Sequence, residues 1–219
     1  MAFAPRKADR FIELDRLGRG NDGKSLQMNI KGIWSILLGT ATVLLIMSYQ
    51  SKASGTESAP YQVVRTDGKF ELRDYPVLAV VEATSGKDGN SSFMRLFRFI
   101  GGSNQAQQKI TMTTPVFMSG SETNATMAFV MPVKLKTNQV PKPSDSGLVV
   151  KEIAAGRFAA FRFRGGRNTQ NEQESLLKLN NWLKTQNLSP QSPPIYGYFN
   201  PPWIPSFFRH NEVMIRVQP

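Results

Sequence analysis

The residues best suited to proton-transfer chemistry in this sequence are one histidine and a carboxylate two positions after it. His210 is the only histidine in the 219 residues, and Glu212 follows it. Such a pair could serve as an acid and a base. Alternatively, Glu212 pairs with a nearby arginine on the surface. The chain has no cysteine, which excludes disulfides, thiolate catalysis and cysteine-ligated zinc or iron–sulfur sites.

Motifs of the common enzyme classes are missing. The sequence contains no Gly-x-Ser-x-Gly nucleophile elbow, no phosphate-binding loop and no dinucleotide fingerprint. We therefore predict that the protein is not an enzyme.

The charge of the chain favours anionic partners, but not nucleic acid. There are 27 Lys and Arg against 16 Asp and Glu, a formal net charge of +11. Such a surface attracts phosphate groups, acidic lipids and small carboxylates. The basic residues are scattered, however, and neither zinc-ligand spacing nor an aromatic RNA-binding motif accompanies them. We predict no nucleic-acid partner.

Two stretches have the apolar spacing of helices that pack on a sheet. The first should end at a glycine pair, and its apolar residues are Phe93, Leu96, Phe97 and Ile100. The second opens at a capping box, Thr169-x-x-Glu172. Its apolar face consists of Leu176, Leu177, Leu179, Trp182 and Leu183.

Runs of β-type residues predict strands around both helices. The predicted strands are 61–66, 70–75, 77–84, 110–118 and 126–131 in a first half, and 148–153, 157–164 and 213–217 in a second half. A polar loop at 132–147 joins the halves. A stretch rich in proline and aromatic residues, 193–203, should form a rigid loop beyond Phe199.

Two nine-residue segments suggest that the domain is an internal duplication. Asn, Met, Val and Pro recur at the same spacing in 124–132 and 211–219. Further upstream, the strands that contain 78–81 and 158–161 each run into glycine and a helical pattern. A two-fold repeat of this size predicts paired halves rather than a solenoid. We interpret the two segments as equivalent strands of these halves.

An uncharged stretch near the amino terminus predicts a transmembrane anchor or the core of a signal peptide. Residues 32–51 carry no charge and would span about 30 Å as a helix. The basic residues upstream of it place the folded domain on the extracytoplasmic side, periplasmic or luminal. Cleavage after Ser51-Lys52-Ala53, or a true start at Met28, are open alternatives. The chain thus divides into a basic segment 1–31, the hydrophobic helix 32–51, a linker 52–59 and a folded domain 60–219.

An ordered set of motifs in the folded domain resembles the SOUL haem-binding protein family. These motifs are Phe70–Tyr75 with Ala79–Val81, Arg95–Asn104, Lys109–Val116, Asn200–Pro202 and Arg209–Val213. The resemblance covers about residues 60–219. It implies an α+β fold of two pseudo-symmetric halves, about 60–132 and 148–219. In each half a long helix lies on a four-stranded antiparallel sheet, and the halves form a distorted β-barrel.

The resemblance also implies non-covalent binding of haem or another tetrapyrrole in a shallow apolar cleft beside the first helix. A porphyrin needs a flat apolar surface, and its propionates favour basic partners. The first helix supplies both kinds of residue, and the candidates are Arg98, Phe97, Met94, Arg95 and Phe93. We assign Leu96 and Ile100 to the core.

His210 is the candidate iron ligand, with a solvent-facing or hydrogen-bonded loop histidine as the alternative. Where some family members carry a candidate ligand histidine, this chain has Asp74. Met112 and Met118 could donate sulfur, although methionine on a strand usually fills a core. We therefore predict weak or absent axial coordination in a carrier, buffer or store of tetrapyrrole. The alternatives are an enzyme, such as a hydrolase, that acts on a small hydrophobic ligand in the same cleft, or a basic scaffold domain at a membrane surface.

Overall fold

A computed structural model of the protein describes residues 56–84, 89–120 and 125–218. Its strands are β1 (Glu57–Ser58), β2 (Gln62–Asp67), β3 (Phe70–Tyr75), β4 (Leu78–Thr84), β5 (Thr113–Thr114), β6 (Val116–Ser119), β7 (Thr126–Val130), β8 (Leu148–Ile153), β9 (Gly156–Phe163), β10 (Ile195–Tyr198) and β11 (Asn211–Arg216). Its α-helices are α1 (Gly89–Ile100) and α2 (Thr169–Thr185). The predicted hydrophobic helix at 32–51 lies outside the described residues. Within the described ranges, no helix has the length and apolar character needed to cross a bilayer.

Nine of these strands form one antiparallel sheet, in the order β2-β3-β9-β11-β10-β6-β7-β4-β8. β1 and β5 form a separate parallel pair. The single strand predicted at 110–118 is shorter and interrupted, because Pro115 between β5 and β6 has no backbone N–H to donate to a ladder. The prediction of an α+β fold with two helices and an antiparallel sheet is confirmed.

The sheet is curled into an open half-barrel. Both helices cover one face of the sheet. The apolar cluster beneath α1 includes Leu96 and Phe129, and the cluster beneath α2 includes Leu179 and Phe161. Tyr196 on β10 packs against both clusters. On the other face, residues from both ends of the sheet share a third apolar cluster, which includes Leu78, Val80, Phe158 and Met214. The outer strands β2 and β8 are the edges of the sheet order.

The sheet has a pseudo-two-fold arrangement about the pairing of β6 with β10. On one side the order is β6-β7-β4-β8, and on the other it is β10-β11-β9-β3. Each side carries one helix, α1 over β4 and β7 and α2 over β9 and β11. The outermost strands of this pattern are exchanged, because β8 pairs with β4 and β3 pairs with β9. Each spatial half therefore draws on both halves of the sequence.

The repeated motif that suggested the duplication is out of register in space. β7 and β11 hold equivalent places in the two halves, yet Met127 packs beneath α1 while Met214 packs on the opposite face of the sheet. Val130 and Val217 are reversed in the same way. Because side chains alternate between faces, a slip of an odd number of residues turns every side chain over. The residue-by-residue correspondence of the two segments was therefore wrong.

Helix α2 begins with a different cap from the predicted one. The Asn168 side chain caps it by accepting a hydrogen bond from the Asn171 N–H at 2.9 Å. Glu172, predicted to complete a capping box, instead accepts a hydrogen bond from the Tyr198 hydroxyl. Leu177, assigned to the apolar face, is 61% exposed.

Candidate functional site

The outer face of α1 carries an apolar strip, formed by Met94 and Phe97 with Phe93 beside them. Met94 and Phe97 are each 49% exposed. The rings of Phe93 and Phe97 are stacked, with centroids 6.0 Å apart and an interplanar angle of 14°. Phe93 is half-buried and meets Phe129 edge-on at 5.4 Å, so it joins the strip to the core.

The inner face of α1 holds the strip in place. Leu96, Phe99 and Ile100 are buried against the sheet, which confirms the core assignment of Leu96 and Ile100. Phe99 was not among the predicted core residues. The helix ends where predicted, before the glycine pair, and Gly102 adopts a φ of 115° that favours glycine.

The two arginines of α1 have different surroundings. Arg95 forms a fork with Asp145, with Nε–Oδ2 at 2.7 Å and Nη2–Oδ1 at 2.5 Å. The Arg95 hydrogen bonds, and a further one from the Gly147 N–H, lower the pKa of Asp145 to about 2. A Cβ on Gly147 would lie 1.6 Å from Arg95 Nη2, so a side chain there would displace the Arg95 guanidinium from this position. Arg98 is exposed and has no ion-pair partner among the described residues.

A polar groove lies between the end of β6, the residue before β7 and the beginning of α2. Its lining includes Met118, Arg167, Asn168, Glu172 and Tyr196. The Tyr196 hydroxyl donates to the Glu172 carbonyl oxygen at 3.2 Å, and burial together with the nearby Glu172 raises the pKa of Tyr196 to about 12. This groove can hold polar groups, whereas the apolar strip of α1 offers an apolar surface.

Comparison with known proteins identifies the family of this domain. A family model described as SOUL heme-binding protein matches residues 56–216. The chain belongs to the SOUL heme-binding protein family. Its curated relatives include Heme-binding protein 2 of Mus musculus and Heme-binding protein 2 of Homo sapiens. Each is 28% identical over 171 residues, which covers 72% of this chain and 82% of the relative.

Solved structures share the fold of this SOUL domain at low sequence identity. The EcmrR C-terminal domain is similar with a TM-score of 0.52 and 14% identity, covering 72% of this chain and 98% of that domain. A hydrolase from Listeria innocua is similar with a TM-score of 0.52 and 9% identity, covering 71% of this chain and 94% of that protein. At these identities the likeness concerns the fold alone.

In this SOUL domain His210 lies beside a buried ion pair. Its Nε2 is 2.7 Å from Glu212 Oε1, and its ring is stacked on Phe199 with centroids 4.1 Å apart. Glu212 is fully buried and accepts two hydrogen bonds from Arg73, at 2.5 and 2.9 Å. The expectation that Glu212 would pair with an arginine on the surface was therefore wrong about the location. The assignment of His210 as an iron ligand stays a prediction.

The other candidate ligands lie apart from the strip or inside the core. Asp74, at the position of a candidate ligand histidine in other family members, forms a fork with Arg157 at 2.8 Å, which lowers its pKa. Met118 is buried beneath α1, and Met112 is half-buried against the same cluster. Both methionines therefore take part in core packing.

Sequence reasoning missed two residues that organise these sites. Arg73 neutralises Glu212 from a position 139 residues away, and Asp145 holds Arg95 from 50 residues away. In neither case does a local pattern identify the partner. The sequence placed Asp145 only in a polar loop that joins the two halves, and that position does not select among arginines.

Proposed function

We propose that this protein binds haem or a related tetrapyrrole non-covalently on the apolar strip of α1, with a propionate held by Arg98. Membership of the SOUL family and the printed names of its relatives support the ligand class. The observation that carries the location is the exposure of Met94 and Phe97 beside an arginine without an ion-pair partner.

The strip suits one face of a flat ring. The stacked rings of Phe93 and Phe97 present an aromatic surface on which a porphyrin can lie in an offset arrangement. Phe93 is anchored to the core through Phe129, so little side-chain entropy is lost when the ligand packs against it. Covering the exposed half of Phe97 contributes on the order of 1 kcal/mol of binding free energy.

The two arginines of α1 have different roles in the proposed site. Arg95 is held by Asp145 and therefore fixes the loop that precedes β8 against α1. Arg98 lies one helical turn after Met94. Its charge helps to lower the pKa of Asp145, but it forms no ion pair among the described residues and is exposed, so its guanidinium can pair with a carboxylate of the ligand. Propionate binding is therefore assigned to Arg98, while Arg95 keeps a positioning role.

The strip provides no strong iron ligand, which supports binding dominated by burial of the ring. Met94 is the strip residue with a ligating atom, and its thioether is a weak donor. A ligand held in this way dissociates readily, as a carrier, buffer or store requires. A low-spin bis-ligated haem spectrum that disappears in the His210→Ala variant would contradict this part of the proposal.

Replacing Phe97 by alanine is expected to weaken haem binding about tenfold, because the porphyrin then loses its contact with the most exposed aromatic side chain of the strip. The measurement is a haem titration of the purified full-length chain, followed by the Soret band. Leu177→Ala is the matched control, since Leu177 is an exposed apolar residue on the equivalent helix α2. If both variants bind haem as tightly as the wild type, the strip is not part of the haem site.

Reversing the charge of Arg98 is expected to weaken binding of haem by about tenfold, since the propionate then meets a carboxylate. Lys178→Glu, on the exposed face of α2, makes the same change in net charge away from the strip. Haem dimethyl ester, which lacks free propionates, should bind the wild type and the Arg98→Glu variant equally. A loss of affinity that is the same in Lys178→Glu would indicate a general charge effect and contradict the assignment.

We also propose that the domain functions on the extracytoplasmic side of a membrane, reached through the hydrophobic segment 32–51. Support comes from the uncharged sequence and the basic residues before it. Protease accessibility of the folded domain in intact cells or organelles tests the location. Amino-terminal sequencing of the mature protein distinguishes an anchor from a cleaved signal peptide.

A further inference from the structure

The loop between β10 and β11 exposes three large aromatic side chains. Trp203, Phe207 and Phe208 are 78%, 62% and 67% exposed. The rings of the two phenylalanines lie together, with centroids 4.3 Å apart. Large apolar side chains exposed on one loop commonly mark a contact surface. We call these three residues the aromatic tip.

The aromatic tip is presented by a well-bonded loop. Arg209 Nε donates to the Ile204 carbonyl at 2.7 Å, and its Nη2 donates to the Pro202 carbonyl. The His210 N–H donates to Asn200 Oδ1 at 2.6 Å. These bonds hold the loop backbone, so the rings point outward from a fixed support instead of folding back onto the core.

Positive charge flanks the tip. The Gly165 N–H donates to the Ser206 carbonyl at 3.1 Å, which places the β9–α2 turn beside the loop. Arg164 and Arg167 on this turn are exposed and have no ion-pair partner among the described residues. Neither 161–171 nor 199–211 contains Asp or Glu. Of the two acidic residues that follow these ranges, Glu212 is fully buried with Arg73, and Glu172 is half-buried and accepts a hydrogen bond from the Tyr198 hydroxyl.

We propose that the aromatic tip docks on an anionic lipid bilayer. Trp203, Phe207 and Phe208 would enter the boundary between headgroups and acyl chains, where aromatic rings partition well. Arg164 and Arg167 would meet lipid phosphates and acidic headgroups. The aromatic tip and the two arginines match such a surface in both polarity and charge. The folded domain after Pro60 has 19 Lys and Arg against 11 Asp and Glu, and this excess adds long-range attraction.

A single reporter position tests whether the loop itself meets the membrane. The chain has no cysteine, so Ser206→Cys in the full-length protein can be labelled uniquely with a polarity-sensitive fluorophore. Ser146→Cys, an exposed serine in the loop before β8, is the matched control. Vesicles of phosphatidylcholine with phosphatidylserine should shift the emission of the Ser206 label to the blue. The Ser146 label should not respond.

Two variants separate the apolar and the ionic contributions. With the Ser206 label, Trp203, Phe207 and Phe208 all changed to alanine should raise the lipid concentration at half-maximal shift about tenfold or more. Arg164→Glu with Arg167→Glu should do the same on anionic vesicles but not on pure phosphatidylcholine. Circular dichroism checks that both variants fold, since all five side chains are exposed.

Three outcomes would overturn the proposal. One is an absence of shift at Ser206 with anionic vesicles. Another is an equal shift at Ser146, which would mean that the membrane does not meet the tip specifically. The third is a shift without lipid that grows with protein concentration, because it would assign the tip to a contact with a second copy or another protein.

Discussion

Replacing Glu212 by glutamine is expected to lower the free energy of unfolding by about 3–5 kcal/mol. Arg73 is 1% exposed and its guanidinium meets Glu212 at 2.5 and 2.9 Å, so the variant removes the fully buried counter-charge. The buried cation then keeps only the more exposed carboxylate of Glu71, which its Nε meets at 2.7 Å. Glutamine has nearly the same shape, which separates loss of charge from loss of packing. The measurement is urea-induced unfolding at neutral pH, followed by circular dichroism.

Glu82→Gln is the matched control for this change. Glu82 also pairs across the sheet, with Lys151, but the lysine side chain is 50% exposed. Water therefore screens the pair, and the variant should lose less than about 1 kcal/mol. The double variant Arg73→Met with Glu212→Leu should recover most of the loss, because no unpaired charge is then buried. Equal stabilities of Glu212→Gln and Glu82→Gln would contradict the argument.

The same pair has a pH signature. Burial alone would raise the pKa of Glu212, but hydrogen bonds from His210 and Arg73 outweigh it and lower the pKa from 4.5 to about 2. A lowered pKa in the folded state stabilises the protein above the unfolded pKa, and this contribution disappears as the pH falls from about 4.5 towards 2. The difference in stability between the wild type and Glu212→Gln should therefore narrow across this acid range and stay constant above it.

Replacing Trp182 by alanine is expected to cost about 3–5 kcal/mol of unfolding free energy. Trp182 is buried on α2, stacked on Phe70 with centroids 5.1 Å apart, and its Nε1 donates to Asp67 Oδ2 at 2.8 Å. Through these contacts it attaches α2 to the β2–β3 hairpin. The variant loses the packing and the hydrogen bond together, and leaves a cavity.

Trp182→Phe separates the two losses. It keeps an aromatic ring against Phe70 but removes the donor to Asp67, and part of the packing volume, so its loss should be about 1–2 kcal/mol. Leu177→Ala, at an exposed position of the same helix, should change stability by less than about 0.5 kcal/mol. If Trp182→Ala behaves like Leu177→Ala, the residue does not anchor the helix.

The apolar periodicity of helix α1 predicted the helix and part of its buried face. The apolar spacing correctly predicted a helix that ends before Gly101 and buries Leu96 and Ile100. It did not predict that Phe99 is buried while Phe97 is half exposed. Four residues at helical spacing define a broad stripe, but the rotation of the helix on the sheet decides which edge of that stripe is covered.

The sheet shows a different limit. The repeated order of strands and helices could be predicted from the sequence. The exchange of β3 and β8 between the spatial halves could not. The motif shared by 124–132 and 211–219 was also misleading about register, because Met127 and Met214 face opposite sides. Alternation identifies a strand, but it does not state which neighbour that strand pairs with.

The sequence by itself determined most of the local elements and the family, because apolar spacing, turns and ordered motifs are properties of neighbouring residues. The tertiary structure alone decided the electrostatics. It joined Arg73 to Glu212 and Arg95 to Asp145, leaving Arg98 without an ion-pair partner within the described ranges. Charged side chains select partners by distance in space and by desolvation, and neither quantity is written in the order of residues along the chain.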